Sequence, residues 1–372
     1  MTATVTPPAA PGGIRSLASW QRAAGPVLLA FLLTRAMLAL VIFLSSSMMP
    51  VRPGPYLFAS PGNLVVDGLV RYDSWWYRDI VRNGYRAGSL ATGEQGTTAF
   101  FPLYPLLVKG ATFVTGNVFV AGILVSNLCF LAALFALWFW ARLDNGEDSA
   151  NRAVFYLAAA PTALFFSAMY TESLFILLVA ATFLFARRGN FWLAAIPGIL
   201  AAATRNTGVL MAAVIAAEAL QQAGVRLRPP DWRPAAAIRF LASQVGVALR
   251  AWRSWLPALL VPLGLIAYMA YLKLHFGDPL AFIHAQATWG RSTSPGGILH
   301  LLPHTIEELR IERFWAGRVN GVTLMDVLAT LAFLPVVVAV ALKTRASYAI
   351  YCVLTFLIPL ATGSVGSMTR YV

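Results

Sequence analysis

The chain has 372 residues, of which 59% are hydrophobic and only 12% charged, with a mean hydropathy of +0.69. That balance excludes an ordinary soluble domain and points to an integral membrane protein, one polytopic helical unit rather than two or three soluble domains. The formal net charge of +13 does not make a nucleic-acid surface, because the basic residues scatter through loops between apolar runs instead of forming one stripe.

Residues 1–22 are rich in Pro, Gly and Ala and are expected to be a disordered cytoplasmic N-terminus, leaving 23–372 as the transmembrane domain. The apolar run that follows is too long for the core of a signal peptide and lacks a cleavage site, so it reads as a retained first helix. Runs long enough for a bilayer core of about 30 Å predict about nine transmembrane segments, near 25–45, 117–140, 151–168, 171–187, 191–204, 206–220, 253–274, 322–342 and 347–364. Three of these are short. Pro161, Pro197 and the polar breaks Tyr170-Thr-Glu-Ser173 and Thr204-Arg-Asn-Thr207 predict paired, broken helices, which survive at membrane depth only inside protein or beside a water-filled cavity. Cys129 and Cys352 lie inside apolar runs and read as small core residues. The four histidines, at 275, 284, 300 and 304, form neither an HExxH nor a CxxC pattern with any partner, so no metal site and no cofactor is expected.

Loop charge sets the expected orientation. The segments 141–152, 187–190, 221–252 and 343–346 carry Arg142, Arg152, Arg187, Arg188, Lys343, Arg345 and an Arg-rich run from Arg226 to Arg250. The positive-inside rule assigns them, with the N-terminus, to the cytoplasm. Asp67, Asp73, Asp79, Glu172, Asp278 and Glu307 then face outside. In that arrangement Asp73, Glu172, Arg205, His284 and Arg370, from five separated segments, converge on one external face, as a catalytic or transport cavity requires.

The stretch Arg71-Tyr-Asp-Ser-Trp-Trp-Tyr-Arg-Asp79 sets a carboxylate among Trp75, Trp76 and Tyr77. Aromatic rings stack on sugar faces and also settle at headgroup depth, so a sugar-binding site and an interfacial belt are both open readings. Asp73 is the best candidate for a general base that takes the proton of an attacking hydroxyl; Asp67 is a weaker rival. Asp79 does not share a helix face with Asp73, and its plain reading is an ion pair with Arg78 or Arg82. Arg205 and Arg370 suit a phosphate, whose developing charge a guanidinium stabilises, although each is equally read as snorkelling or pairing with an acid such as Glu172. Glu172 itself is open to orienting Arg205, binding a sugar, capping a helix or forming a salt bridge. His284 reads either as part of an acceptor cleft or as an ordinary hydrogen-bonding residue. The run Phe100-Phe-Pro-Leu-Tyr-Pro105, with Tyr104, reads as a lipid-guiding re-entrant helix or as an interface anchor.

Taken together these segments resemble the PIG-V-type mannosyltransferases, the family of GPI mannosyltransferase 2 and its bacterial relatives. The residues that carry the resemblance are Asp73-Ser-Trp-Trp-Tyr77 with Gly84-Tyr85, Ala99-Phe-Phe-Pro-Leu-Tyr-Pro105, Tyr170-Thr-Glu-Ser173, Ala203-Thr-Arg-Asn206 through Gly208, Gly277-Asp-Pro279 with His284, and Ser367-Met-Thr-Arg-Tyr371. The resemblance implies an all-α polytopic GT-C fold whose first external loop holds the catalytic acid, a position that Asp73 takes. It implies inverting transfer of mannose from a polyprenyl-phosphate donor, usually without a metal, on the external face of a bacterial plasma membrane. Arg71, Trp75, Trp76, Tyr77, Tyr85, Tyr104, Glu172, Arg205, Asn206, His284, Arg370 and Tyr371 are then the candidate substrate-binding residues. The expected partners are the lipid-linked donor, membrane lipids and an acceptor that is a lipid, a glycan or a protein. The chain lacks the DxD pair of metal-dependent relatives. It also stops at Arg370-Tyr-Val372, where relatives run on into further hydrophobic helix, so a truncated chain is one expectation. Two alternatives stand beside this reading: a GT-C transferase of another lipid-linked sugar, such as arabinofuranose or aminoarabinose, and a lipid or solute transporter.

Overall fold

The computed structural model describes residues 17–49, 62–88, 94–228, 233–288, 303, 305–306, 321–361 and 368. The described residues are predominantly helical with no strand, consistent with an all-α membrane protein. Helices α1 (Leu17–Met48), α2 (Leu64–Leu69) and α3 (Asp73–Asn83) are followed by a 3₁₀ turn at Thr97–Ala99 and by α4 (Leu103–Thr115). Then come α5 (Val118–Ala158), α6 (Glu172–Arg187), α7 (Phe191–Ala202) and α8 (Leu210–Gln222), with 3₁₀ turns at Ala163–Phe166 and Asn206–Val209. The remainder is α9 (Pro234–Arg250), α10 (Trp252–Trp255), α11 (Leu263–Phe276), α12 (Ala281–Thr288), α13 (Gly321–Lys343) and α14 (Ala346–Leu360).

Among the described residues, four stretches are long and apolar enough to cross a membrane: Leu17–Met48, Val118–Ala158, Trp252–Phe276 and Leu324–Lys343. Of the other predicted segments, 151–168 begins on the second arm of α5 and runs into the irregular backbone after Ala158, and the rest fall on shorter helices. At a rise of 1.5 Å per residue, α7 and α8 are about 18–20 Å long and α6 about 24 Å, short of the hydrocarbon core of about 30 Å. The cause is local. Gly146, with φ +78°, breaks α5 into two arms, and the second arm ends at Ala158 just before Pro161. Irregular backbone from Ala159 to Thr171 then separates it from α6. The α7–α8 hairpin is interrupted at Ala203–Val209 in the same way. At that apex Gly208 passes so close to Ala201 that a Cβ would lie 2.1 Å from its carbonyl oxygen, which only glycine permits.

The hairpin arms pack through small side chains. Ala186, Ala194, Ala195, Ala201 and Ala202 are almost wholly buried where α6 meets α7, so the backbones approach closely. Aromatic layers fill the wider gaps, with Trp140 stacked on Phe183 at 4.4 Å and Phe130 on Phe166 at 4.7 Å. Cys129 and Cys352 are free thiols on separate helices.

One end of the bundle gathers charge. Glu218 is fully buried and accepts hydrogen bonds from Arg345 Nε and Nη2, both at 3.0 Å, and from Ser347 and Gln222. Arg187 pairs with Asp144, whose other oxygen accepts from Tyr348, and lies 3.7 Å from Glu218. Arg22 and Arg142 pair with Glu147 at the same end. These contacts pin the kink of α5, the C-terminal ends of α6 and α8 and the start of α14 together. They also place the α7–α8 apex at the far side of the bundle, since Gln222 Nε2 donates to Ala186 O at the hairpin base.

Candidate functional site

Away from the charged end, three separated segments meet. The turn before α3 is held against the irregular stretch before α6: Met169 N donates to Leu69 O at 3.1 Å, Tyr170 Oη to Arg71 O at 3.0 Å and Ser74 Oγ to Met169 O at 3.3 Å. The α7–α8 apex joins the start of α4, where Leu103 N donates to Ala203 O at 3.1 Å. At this junction Arg205 Nη1 lies 3.2 Å from Glu172 Oε1, with the Arg205 guanidinium also 5.7 Å from the Phe175 ring. Both side chains are largely buried. An ion pair in such surroundings survives because each charge neutralises the other.

Tyr77 reports the neighbourhood. Its ring packs edge-on against Tyr104 at 5.0 Å and Phe100 at 5.1 Å. Burial pushes its phenol well above the usual range, and the charges of Asp73 and Glu172 push it further; hydrogen bonding to Thr171 and the charge of Arg205 pull the other way. Asp73, Glu172 and Arg205 therefore share one electrostatic field around a phenol that stays protonated. Tyr77 can donate a hydrogen bond there, and it cannot act as a base.

Among the three aspartates of this segment, environment separates the roles. Asp67 is buried and lies 3.4 Å from Arg71, so the rival base and the predicted ligand Arg71 occupy each other. Asp79 pairs with Arg86 at 3.0 Å and accepts from Asn83 Nδ2 at 2.7 Å. The plain ion-pair reading of Asp79 is thus correct in kind, but the partner is Arg86 and neither Arg78 nor Arg82. Arg86 comes within reach because Gly84, at φ +80°, turns the chain back after α3. Asp73 is partly exposed, as Asp79 is, and opens α3, where the helix dipole favours a carboxylate.

Tyr72, the residue before it, has φ +51° and is the one non-glycine residue with positive φ among the described residues. Such backbone costs about 1–3 kcal/mol and persists only where its flanks are fixed, as the contacts to Met169 and Tyr170 fix them here. The Tyr72 ring is 64% exposed beside Asp73. Sequence reasoning missed Tyr72, and its unusual φ leaves no mark in composition or spacing.

The predicted aromatic ligands have other occupations. Trp76 is buried and stacked on Phe100 at 6.3 Å, under the guanidinium of Arg86; Trp75 packs edge-on to Phe119 at 5.4 Å beneath Arg78. Tyr104 is fully buried and bonded to Ser126 Oγ at 2.9 Å. Tyr85 Oη donates to Phe100 O at 2.9 Å. Trp76, Tyr77 and Tyr104 are thus buried and packed against neighbouring rings. Asn206 Oδ1 accepts from Thr207 N at 2.8 Å and shapes the apex. His284 sits on the adjoining α12, which docks on the 3₁₀ turn through Thr98 Oγ1 and Ala281 O at 3.3 Å. Its Nδ1 lies 2.7 Å from Asp278 Oδ2, and both side chains are exposed. Arg370 and Tyr371 lie outside the described residues. Among the described residues no group of three or more His, Cys, Asp or Glu comes together as a metal site.

No family model, curated protein or solved structure matches the chain. The chemistry of the junction therefore rests on its own residues: a partly exposed carboxylate at a helix start, a protonated phenol behind it, and a buried arginine balanced by one acid.

Proposed function

We propose that the protein is a membrane glycosyltransferase of GT-C type, a multi-pass bundle that transfers mannose with inversion from a polyprenyl-phosphate donor to an acceptor hydroxyl on the external face. The observation that carries this reading is the meeting of Asp73, Tyr77, Glu172 and Arg205 from three separated segments. In the proposed step the acceptor O–H loses its proton to the Asp73 carboxylate as its oxygen bonds to the anomeric carbon. The bond from that carbon to the phosphate oxygen breaks, and its electron pair leaves with the polyprenyl phosphate. Arg205, partly offset by Glu172, faces the phosphate and stabilises the leaving charge, so no separate acid is required. Tyr77 donates to an oxygen at the site and, being protonated, does not compete for the proton.

The broken hairpins support a second reading. Interrupted helices with a charge pair at the break are also how transporters build a substrate site inside the bilayer. One experiment separates the two. Proteoliposomes holding the full chain are given radiolabelled polyprenyl phosphomannose and a mixture of acceptor lipids and glycans from bacterial membranes. Transfer predicts label in a new glycosylated product; labelled solute crossing the bilayer without any such product supports transport instead.

A further inference from the structure

Helix α9 differs from every other long helix in the fold. None of its described side chains is buried, and its apolar residues form an outward stripe: Ile238, Leu241, Val245 and Leu249 are each 47–67% exposed, and Trp252 continues the line at 47%. The spacing of three to four residues places them on one face. Arg239, Ser243 and Arg250 lie to one side of that stripe, and Phe240, Gln244 and Val247 face the protein, where Arg226 N donates to Gln244 Oε1 at 3.1 Å. At about 25 Å long the helix is too short to span a bilayer and too apolar on one face to stand in water.

Its location is fixed by two contacts. Arg228 Nη1 donates to Leu342 O at 2.9 Å, at the end of α13 beside Lys343, which sets this segment at the charged end of the bundle. Trp255 Nε1 donates to Ala248 O at 3.0 Å, so α9 runs directly into the apolar stretch Trp252–Phe276. Trp252 and Trp255 at that junction are where interfacial rings sit on a membrane-crossing segment. Between Gln222 and Lys273 the sequence holds six arginines and a single acid, Asp231.

We propose that α9 is an in-plane helix that seats anionic phospholipid headgroups on the leaflet at the charged end of the bundle. The apolar stripe enters the acyl region, while Arg233, Arg239 and Arg250 hold headgroup phosphates along the edge. The charge complementarity and the continuity with a membrane-crossing segment select a lipid surface over a soluble partner. The proposal does not depend on the chemistry at the opposite end.

The test uses the full chain, with Cys129 and Cys352 replaced by Ala, in nanodiscs of phosphatidylcholine alone or with one third phosphatidylglycerol. Spin labels are placed by Leu241→Cys, Val245→Cys and Ser243→Cys, on samples that remain monodisperse on gel filtration. The expected result is that the 241 and 245 labels collide more with oxygen than with an aqueous nickel chelate, and that the 243 label does the reverse. The contrast should fall several-fold in pure phosphatidylcholine and in the triple variant R233Q/R239Q/R250Q. Equal contrast in both lipids, unchanged by the triple variant, would overturn the anionic-lipid role. Labels at 241 and 245 shielded from both reagents would show the stripe covered by another copy or another protein, and would overturn it as well.

Discussion

Arg205 and Glu172 face each other at 3.2 Å across the breaks of two consecutive helix hairpins, each neutralising the charge that the other carries into the bundle. Removing one partner leaves a buried charge alone. Glu172→Gln and Arg205→Gln should each destabilise the protein by about 3–5 kcal/mol, and the double variant by clearly less than the sum. Thermal unfolding in detergent reads this directly. For transfer, Arg205→Ala should weaken donor use by about 1.5–3 kcal/mol while acceptor KM hardly changes, and Lys should restore only part of it because the planar fork is lost.

Arg35 supports the first break from the neighbouring helix. Its Nη1 donates to Ala163 O and Ser167 Oγ, both at 2.9 Å, and its Nη2 to Ala158 O at 3.0 Å, so it caps carbonyls that the interrupted helix leaves open. Arg35→Leu should cost about 3 kcal/mol or more, given about 1.5–3 kcal/mol for a hydrogen bond to a charged group. Donor and acceptor KM should stay near wild type in the protein that survives, which distinguishes a supporting residue from a ligand.

The exposed pair at α12 carries a pH signature. Hydrogen bonding from His284 first, and from the Leu280 N–H second, holds the Asp278 carboxyl below its usual range. A depressed carboxyl contributes stability above its unfolded pKa of about 3.9 and loses it as pH falls through the folded value. His284→Ala should therefore raise the Asp278 pKa toward the ordinary range, observed by carboxylate titration with isotope-edited infrared. Stability near neutral pH should change little, because a solvated pair of this kind contributes little.

Topology is open to labelling in intact cells. Single cysteines at Ser89 and Ser243 should react oppositely with an impermeant maleimide, the first accessible and the second protected, in accord with the charge asymmetry of the loops. Reaction of both in full-length protein would contradict the orientation.

Much of the helical layout was legible, because long apolar runs leave few alternatives and polar breaks such as Tyr170-Thr-Glu-Ser173 and Thr204-Arg-Asn-Thr207 fall where the helices stop. Glu172 and Arg205 stand out in the sequence as candidate residues, and their pairing, one of the readings open there, is present in the structure. What escaped is long-range or conformational. Glu218 lay hidden inside the run 206–220 because its partner Arg345 is distant in the chain. Arg35 passed as part of an apolar helix because its carbonyl partners on Ala158 and Ala163 belong to a break in another segment. Arg86 was overlooked as the partner of Asp79 because it lies past the end of α3, beyond the spacing that a helix face suggests. The backbone of Tyr72 could not be read at all, since its conformation is imposed by contacts to Met169 and Tyr170.

In the proposed reaction Asp73 accepts the proton of the acceptor hydroxyl. Asp73→Asn keeps the shape of the side chain and removes the acceptor, and Asp79→Asn removes one charge from the same helix and loosens the contacts to Arg86 and Asn83. Measured side by side with labelled polyprenyl phosphomannose, Asp73→Asn should lower kcat by about 10²–10⁴-fold with donor binding intact, and Asp79→Asn should stay within about tenfold of wild type. An active Asp73→Asn beside an inactive Asp79→Asn would assign the base to Asp79, and full activity in both would contradict the glycosyltransferase account itself.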